Sequence, residues 1–405
     1  MVASIKVIEP RYYRWDPLYH NQPYSLAVEK NGFLFISGLT AEIYDPYRKS
    51  YIINNLSLVD QTRVIFEKMG SILDAAGYTF QDVVYTVDYA LEPCMPEYRQ
   101  SGEIRRESFS TSMPASTGVL VEGLPNSVAL MKVNAVAMCQ GREKKAIFPE
   151  GTPTWERFRG TTFWPGFFVG DDWFWLSGST GRVYDTVSGR EIYPNGIENQ
   201  RNAIWENNLG QVMLDAGVNP STLVRTSDYV HPAGVAERNE TGYRTSCERA
   251  ESSIVVRRLL HREALLEIDA TCYLGRDREV FKTQTDQPGK EITSAVRCGK
   301  VVFCSIIGSH DTVTGQVSNK INLEWQLNKA YENMSSVLET AGLKWSDVVR
   351  SVEMVSPRFS FDHAALDRVR KSVYGDIIPS VTTVTANQIL TPDSDFTMEL
   401  WAVLD

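Results

Sequence analysis

One pattern of residues occurs three times in this chain of 405 residues. In each copy, apolar residues at helical spacing lead to a glycine, and two aliphatic residues then open a strand-like run. The three glycines are Gly77, Gly217 and Gly342. A glycine directly after a helical pattern is typical of a left-handed C-terminal cap. Because internal repetition constrains architecture more than any single motif, we interpret the chain as three tandem units.

We place the three units at residues 1–145, 146–280 and 281–405. Within each unit the predicted order of elements is β-β-α-β-α-β-β. The second helix is predicted at 96–109 in the first unit, at 236–247 in the second and at 361–374 in the third. Two helices for each set of strands indicate an α+β fold in which the helices cover one face of a sheet.

Charge and motif content disfavour several classes of function. The net charge of −9 comes without any basic run, which argues against nucleic acid as a partner. No apolar run approaches the roughly 20 residues that span a bilayer, so we expect no membrane association. The six cysteines and five histidines form no CxxC, HxxH or HExxH spacing, and we expect no metal and no other cofactor. The opening residues lack an apolar signal core, so we expect a cytoplasmic protein.

Several short motifs occur in a fixed order along the units. They are Pro23-Tyr24-Ser25, a strand ending in Ser37-Gly38, a helix ending in Ala-Gly before a Val-Val strand, and Gly123-Leu124-Pro125 before a closing strand. In this order they resemble the YjgF/RidA (reactive intermediate deaminase) family, over nearly the whole length of each unit. The resemblance implies a chorismate-mutase-like fold. Three subunits of that family close around a central β-barrel, so it also implies an intramolecular pseudo-trimer.

The same resemblance implies an activity. Members of the family typically hydrolyse enamines and imines in clefts between subunits, with an arginine that binds the substrate carboxylate and a glutamate that positions water. The arginine position falls on Ser116, Ser252 and Val381, and the glutamate position on Lys132, Glu267 and Glu399. Serine and valine cannot replace the charge-assisted hydrogen bonds of a guanidinium. We therefore expect a substrate other than the usual carboxylate, for instance a neutral or aromatic one.

The resemblance and the residue types together give the candidate site. Glu267 alternates with apolar neighbours and can face a cleft, where burial would raise its pKa and suit it to proton transfer. Lys132 could bind an anion, polarise a carbonyl or form a Schiff base, with a solvated strand lysine as the alternative. The catalytic candidates are Glu267, Glu399 and Lys132. The substrate-binding candidates are Tyr24, Ser177, Gly178, Arg182, Ser252 and His231, each of which could instead be a packing or surface residue.

The first functional hypothesis is a cofactor-independent hydrolase or deaminase. It would act on a C=N or C–N bond of a small imine, enamine or cyclic amide, in a cleft between units. The alternatives are a chorismatase-like lyase or isomerase and a non-catalytic, small-molecule-binding pseudo-trimer. Because a fused chain lets its clefts diverge, we expect one cleft, or two unlike ones, to be active and the others to be structural. The cleft with Glu267 and Ser177-Gly178 is the leading candidate. The expected partner is a small molecule, and the expected assembly is a monomeric pseudo-trimer or a dimer of these.

Overall fold

A computed structural model of the protein describes residues 4–10, 24–54, 57–138, 142–149, 162–240, 248–284, 291–311, 314–359, 363–386 and 393–405. The first strands are β1 (Lys6–Val7), β2 (Ala27–Lys30), β3 (Phe33–Leu39), β4 (Ile43–Asp45), β5 (Ser50–Ile52), β6 (Val83–Ala90), β7 (Ala115–Leu120) and β8 (Met131–Met138). The helices among them are α1 (Leu58–Ala76), α2 (Met95–Tyr98) and α3 (Gly102–Phe109).

The same order of elements follows twice more. The middle strands are β9 (Lys144–Ile147), β10 (Gly166–Val169), β11 (Trp173–Thr180), β12 (Val183–Asp185), β13 (Arg190–Ile192), β14 (Leu223–Val230), β15 (Ala250–Val255), β16 (Arg258–Leu259) and β17 (Leu266–Tyr273), with helices α4 (Ile197–Ala203), α5 (Leu209–Ala216) and α6 (Val235–Glu240). The last strands are β18 (Arg278–Gln284), β19 (Glu291–Cys298), β20 (Val301–Cys304), β21 (Ile307–Gly308), β22 (Val348–Val355), β23 (Ser380–Thr385) and β24 (Phe396–Val403), with helices α7 (Leu323–Thr340) and α8 (His363–Tyr374).

The strands form three large sheets, and none of these closes on itself among the described residues. Sheet one has the order β1-β2-β3-β8-β6-β7-β16, sheet two β15-β14-β17-β11-β10-β9, and sheet three β18-β19-β20-β24-β22-β23 with β21 attached to β24. Each sheet contains one parallel pair, namely β6 with β7, β14 with β15 and β22 with β23. With helices alongside these sheets, the predicted α+β class is confirmed.

The long central helices form where the repeated pattern predicts them. Ser57 caps α1 by accepting a hydrogen bond from the Asp60 backbone N–H, and Gly77 ends the helix with φ of 80°. Gly217 and Gly342 have φ of 67° and 69° after the corresponding helices. Such positive φ values are accessible to glycine without strain, which explains its return at the end of each pattern.

One of the second helices differs from the prediction. The segment 96–109 is divided into α2 and α3, because Ser101 and Gly102 at the junction have low helix propensity. The helix expected at 236–247 is present as α6, and its residues beyond Glu240 lie outside the described part of the chain. In the third unit, α8 agrees with the predicted 361–374 over the residues that are described.

Side chains of each sheet alternate between two cores. In β3, Leu34 and Ile36 pack beneath the helices of sheet one, whereas Phe35 points to the opposite face. The opposite faces of all three sheets share one large apolar cluster, in which Phe35, Trp175 and Phe303 are fully buried. The period of two along each strand therefore sends one set of side chains to the helices and the other to the neighbouring sheets.

The sheets also refine the predicted boundaries between units. Sheet two begins with β9 at Lys144 and sheet three with β18 at Arg278, so the predicted boundaries fall inside these strands. The short strand β16 follows β15 in the chain but pairs with β7 of sheet one. In the described part of the chain, no helix is both long and apolar enough to span a membrane.

Candidate functional site

Three serines join the sheets in the same way. Ser177 Oγ accepts a hydrogen bond from the Ser116 backbone N–H at 3.0 Å and donates to the Trp164 carbonyl at 2.6 Å. The matching contacts are those of Ser37 with the N–H of Val381 at 2.8 Å and of Ser305 with the N–H of Glu251 at 3.1 Å. Each contact marks a seam between two sheets, and we name the three seams the Ser177, Ser37 and Ser305 clefts.

These contacts also correct one predicted correspondence. The residue that meets the serine is Ser116 in sheet one, Val381 in sheet three and Glu251 in sheet two. The family's arginine position therefore falls on Glu251 and not on Ser252. Ser252 lies one residue further along β15 and is hydrogen-bonded to Glu399.

Glu267 lies at the centre of the Ser177 cleft. It is on β17, opposite Thr180 of β11, and is only 7% exposed. The pairing of β11 with β17 shifts between Leu176 and Ser179, which is a β-bulge at Gly178. A Cβ at Gly178 would collide with Glu267 Oε1 and would lie 2.9 Å from Thr117 of sheet one. The backbone of Gly178, the Glu267 carboxyl and the wall of the neighbouring sheet therefore meet here.

The surroundings of Glu267 favour its protonated form. Burial raises the pKa of Glu267 to about 8, the negative charge of Asp269 acts in the same direction, and Arg182 opposes them. Asp269, two residues along the strand, accepts hydrogen bonds from Arg225 at 2.8 Å, Tyr85 at 2.8 Å and Thr117 at 2.9 Å. Since burial raises the pKa of Glu267 above 7, Glu267 carries the proton near pH 7 and can act as an acid.

Aromatic side chains lie beside Thr180, the residue opposite Glu267. Tyr193 hydrogen-bonds to Thr180 Oγ1 at 3.1 Å, and its ring centroid lies 6.0 Å from that of His261. Burial raises the pKa of Tyr193 to about 12, and burial together with the charge of Arg182 lowers the pKa of His261. The site thus combines a protonated acid, a neutral imidazole and a guanidinium.

Asn208 of the central helix holds the loop that carries Arg182. Asn208 donates hydrogen bonds to the carbonyls of Thr180 and Arg182, both at 2.9 Å. Lys68 and Asn333 hold the matching loops of the other two units. A π-helical turn, Ile204–Asn208, separates α4 from α5 and accommodates one more residue than the matching helices contain. Single π turns often occur at functional sites. Lys68 and Asn333 make their contacts from helices without such a turn, so the contact of Asn208 belongs to the repeated pattern.

The Ser37 cleft contains a lysine in place of the acid. Lys132 is on β8, opposite Tyr89, as Glu267 is opposite Tyr229. Its aliphatic stem crosses Gly38, where a Cβ would lie 2.6 Å from Lys132 Cδ. Its Nζ donates to the Thr383 carbonyl of sheet three at 3.0 Å, and burial lowers its pKa to about 8. Lys132 thus bridges two sheets.

The Ser305 cleft lacks both the acid and the glycine. Ile306 replaces the glycine and donates its N–H to the Glu251 carbonyl at 3.1 Å. The position that matches Glu267 is occupied by Thr397, whose hydroxyl contacts Met354 Sδ at 3.9 Å. In this seam the space beside the serine is taken by apolar side chains.

The strand register corrects the prediction for Glu399. In β24, Met398 lies opposite Glu353, as Ile268 lies opposite Asp228, so Glu399 matches Asp269 and not Glu267. Its carboxylate accepts from Arg350 at 2.7 Å and from Trp401 at 2.8 Å. Burial alone would raise the pKa of Glu399, but Arg225 and Arg350 hold it below the usual value. Glu399 is therefore part of the charged interior and not of a cleft.

The two remaining candidates have local roles. His231 Nδ1 accepts a hydrogen bond from the Ala233 N–H at 3.1 Å and caps a short 3₁₀ turn, and burial together with Arg258 lowers its pKa. Tyr24 is half-buried and packs against the core beneath the helices of sheet one. Neither is seen next to Glu267.

The sequence analysis missed a charged network between the sheets. Arg225 and Asp269 form one fully buried ion pair and Arg350 and Glu399 another, while the Arg225 guanidinium lies 5.0 Å from the ring centroids of both Tyr85 and Trp401. The sequence signal was an arginine at the third position of each of two central strands that are buried throughout, Arg225 in β14 and Arg350 in β22. Among the described residues, no group of three or more His, Cys, Asp or Glu side chains could hold a metal ion.

Comparison with known proteins identifies the family. The family model described as Endoribonuclease L-PSP matches residues 16–139. A RutC family protein of Pyrococcus horikoshii is 35% identical over 115 residues, which are 28% of this chain and 86% of that protein. The mouse protein named 2-iminobutanoate/2-iminopropanoate deaminase is 29% identical over 116 residues, 29% of this chain and 81% of that protein.

A similar solved structure is that of Escherichia coli TdcF with bound serine. It is 20% identical, with a TM-score of 0.28, and the match covers 31% of this chain and 99% of that one. The family assignment rests on the sequence relatives, since the archaeal protein is matched over most of its length. The chain belongs to the YjgF/RidA family of endoribonuclease L-PSP and RutC proteins.

Proposed function

We propose that this protein is a cofactor-independent hydrolase or deaminase that cleaves the C=N bond of a small imine or enamine in the Ser177 cleft. The observation that carries the proposal is the buried Glu267 carboxyl, with its pKa raised to about 8, directly against the Gly178 backbone. A carboxylic acid that retains its proton at neutral pH is suited to general acid catalysis. The deaminase name of the mouse relative supports the same reaction class.

The proposed reaction moves one proton back and forth. Glu267 donates its proton to the imine nitrogen, and the carboxylate then accepts a proton from the water that attacks the carbon. The carbinolamine that forms carries one hydroxyl and one amino group. Glu267 protonates the amine, which leaves as ammonia, and it takes the hydroxyl proton as the carbonyl forms. Glu267 ends protonated, so no cofactor or other reactant is needed beyond water.

The substrate would be held from the sheet two side of the cleft. Ser116, Glu251 and Val381 occupy the arginine positions at the three seams, so none supplies a guanidinium. Arg182 lies close enough to influence the pKa of both Glu267 and His261 and is 3.8 Å from the Glu191 carboxylate. In our proposal it provides the missing positive charge, in competition with its contact to Glu191. Ser177 and Gly178 would contribute the backbone wall, and the rings of Tyr193 and His261 a flat apolar one.

We further propose that the three units form a pseudo-trimer around a central barrel. Three serine contacts that follow one another in cyclic order support this, each joining a different pair of sheets. The apolar cluster shared by all three sheets also supports it. In this arrangement the three clefts occupy equivalent positions around the barrel, and the Ser177 cleft contains both Glu267 and Gly178.

A non-catalytic binder is the second candidate. The other two clefts favour a non-catalytic binder, because Lys132 fills the Ser37 cleft and Ile306 fills the Ser305 cleft. Loss of the substrate arginine at all three positions is also what a protein that no longer turns over the family substrate would show. The two candidates differ in whether Glu267 transfers a proton.

Ammonia release tests the proposal directly. Purified protein would be incubated with a panel of imines, enamines and cyclic amides, with mass spectrometry of the products. Glu267→Gln keeps the shape of the side chain and removes its acid, and we expect turnover to fall about 100-fold or more. Thr397→Val, at the matching position of the Ser305 cleft, is the control and should leave turnover unchanged. Equal rates in the Glu267 variant and wild type would disprove the assignment, and no ammonia from any compound would favour the binder.

A further inference from the structure

A tyrosine hydroxyl lies on the sheet one side of the Ser177 cleft. Tyr98 is the last residue of α2 and is half-buried. A Cβ at Gly118 would collide with the Tyr98 hydroxyl and would lie 3.0 Å from Leu260 Cδ1. Gly118 is two residues beyond Ser116 on β7, and the Ser116 N–H is the group that binds Ser177 Oγ. The Tyr98 hydroxyl is therefore held against the strand that meets sheet two at this cleft.

Tyr98 also lies within electrostatic reach of the proposed acid. Burial raises the pKa of Tyr98 well above its usual value, and the negative charges of Asp88 and Glu267 act in the same direction. Thr117 of the same strand would lie 2.9 Å from a Cβ at Gly178, so the two sheets are close together here. Because its pKa is raised, the Tyr98 phenol keeps its proton at neutral pH.

The Tyr98 hydroxyl already donates a hydrogen bond within the protein. Its acceptor is Asp88 Oδ2 at 2.8 Å, and Arg105 forms a buried ion pair with the same carboxylate. From the described part of the chain, no hydrogen bond to the Tyr98 oxygen is seen. A tyrosine hydroxyl can accept as well as donate, so its lone pairs remain available to a ligand. A group that binds this oxygen must therefore bring its own N–H or O–H.

The second unit has an arginine at the position of Tyr98. Glu97 and Glu237 each accept the backbone N–H of the first residue of a central helix, so the residues that follow them, Tyr98 and Arg238, match. Arg238 donates to Ser253 Oγ of its own sheet at 2.6 Å. The first unit thus presents a phenol oxygen where the second presents a guanidinium.

The sheet one side of the Ser177 cleft favours a neutral substrate with an N–H group over a carboxylate. A carboxylate has no proton to donate to the Tyr98 oxygen at neutral pH. Arg105 is paired with Asp88 and only 4% exposed, so its charge is not available to a substrate. Burial of an ionised carboxylate without a partner is costly, whereas an amide N–H would be satisfied by the phenol oxygen. An amide also offers a carbonyl oxygen to Arg182, so the positive charge on the sheet two side needs no carboxylate.

We propose that Tyr98 determines the substrate class of the Ser177 cleft, by accepting a hydrogen bond from the N–H of an amide-bearing imine. This inference rests on the proposed function for the place where the substrate binds. Hydrolysis of the simplest such imine, 2-iminopropanamide, consumes one water and gives pyruvamide and ammonia. Pyruvamide is stable, so its binding can be measured without turnover.

Three ligands test the contact with full-length protein. Pyruvamide carries the N–H group, N,N-dimethylpyruvamide lacks it, and pyruvate replaces the amide with a carboxylate. Titrations followed by ligand-observed NMR give the dissociation constants. We expect about 1 to 10 mM for pyruvamide, and binding at least about threefold weaker for each of the other two.

Variants assign the difference to one oxygen. Tyr98→Phe should weaken pyruvamide about two- to tenfold, which is the effect of one neutral hydrogen bond, and leave N,N-dimethylpyruvamide unchanged. Tyr331→Phe is the matched control, because it removes a tyrosine hydroxyl from Glu353, the carboxylate of the third unit at the position of Asp88. It should bind all three ligands as wild type does. Gly118→Ala, which displaces the Tyr98 hydroxyl, provides a second test if Tyr98→Phe proves unstable in thermal unfolding.

The outcomes separate this inference from the proposed hydrolysis. The inference is overturned if pyruvate binds as tightly as pyruvamide, if none of the three ligands binds at about 50 mM, or if Tyr98→Phe changes the two amides equally or not at all. Pyruvamide binding that depends on Tyr98, without ammonia release from any imine, would support the inference and contradict the hydrolysis. Ammonia release that depends on Glu267, with pyruvamide binding unaffected by Tyr98→Phe, would support the hydrolysis and overturn the inference.

Discussion

The Ser177 and Ser37 clefts are made from matching strands, yet they contain groups of opposite charge. Glu267 lies against Gly178 in one, and Lys132 crosses Gly38 in the other. Burial moves both pKa values to about 8, upwards for the acid and downwards for the amine. The lysine reaches a carbonyl of the neighbouring sheet, whereas no hydrogen bond from a described residue reaches the Glu267 carboxyl. The Lys132 amine of the Ser37 cleft is thus hydrogen-bonded within the protein, whereas the Ser177 cleft retains a carboxyl for which no such bond is seen.

In the proposed pseudo-trimer, the three units are joined in one chain, so each cleft can have its own residues and its own role. In a homotrimer any change at a seam occurs three times. Here a lysine can bridge sheets one and three without affecting the acid between sheets one and two. Each prediction below changes one seam and uses its counterpart as the reference.

The largest effect is expected at Gly178. In Gly178→Ala the new Cβ collides with Glu267 Oε1 and with Thr117 of the facing sheet, so the carboxyl must leave its position. We expect turnover to fall by more than about 100-fold, with a loss of stability of about 1 to 3 kcal/mol.

Gly38→Ala is the matched control for this change. Its Cβ meets the stem of Lys132, and the variant should retain turnover while losing some stability. Ammonia release and thermal unfolding of both variants measure the two effects. If Gly38→Ala loses turnover as completely as Gly178→Ala does, the seams are not specialised.

The pH dependence of stability should have opposite signs at the two seams. The folded protein retains the Glu267 proton between the ordinary pKa of 4.5 and about 8, so the free energy of unfolding falls as pH rises through this range. The folded protein releases the Lys132 proton between about 8 and the ordinary 10.5, so here stability rises with pH. Each full pKa unit corresponds to about 1.4 kcal/mol.

Two variants separate these contributions. Glu267→Gln should remove the falling contribution of Glu267 from the lower range, and Lys132→Met should make the rise in the upper range less steep, measured by urea unfolding across the pH series. The rise does not vanish in Lys132→Met, because burial also lowers the pKa of Lys68 to about 8 and that of Lys144 to about 7. An unchanged slope below pH 8 in the Glu267 variant would mean that its pKa is not raised by folding. The same series for Thr397→Val should follow wild type throughout.

The repeated local pattern made the elements predictable, because caps and apolar spacing are properties of short segments. Gly77, Gly217 and Gly342 end their helices as expected. The family resemblance also pointed to Glu267, which is buried at a seam. The helix ends depend on residues that are neighbours in the chain. The position of Glu267 depends on short motifs that occur in the same order as in the family.

The register between strands that are far apart in the chain could not be predicted from such local patterns. Glu399 and Thr397 are two residues apart and point to the same face of β24, so alternation alone cannot tell which one matches Glu267. The network of Arg225, Asp269 and Tyr85 joins two sheets and is visible only once they are packed together.

A smaller effect is expected on the pH profile of turnover. If Glu267 acts as an acid, the rate should fall as pH rises through about 8. Asp269→Asn removes a neighbouring negative charge and should move this fall to lower pH by about one unit, while Arg182→Gln should move it to higher pH. The pH dependence of kcat/KM measures both shifts. Shifts in the same direction would contradict the assigned acid, since general loss of structure has no reason to act with opposite signs.

The smallest effect is expected at the π turn. Asn208→Ala removes two hydrogen bonds, to the carbonyls of Thr180 and Arg182, and frees the loop that carries the guanidinium. Because the Glu267 carboxyl is untouched, we expect KM to rise by a few-fold with kcat nearly unchanged. Asn333→Ala breaks the matching contacts of the third unit and should alter neither constant. An equal fall in kcat and kcat/KM for Asn208→Ala would instead mean that Arg182 acts in the transition state, and the Ser177 cleft would then have a second group essential for the chemical step.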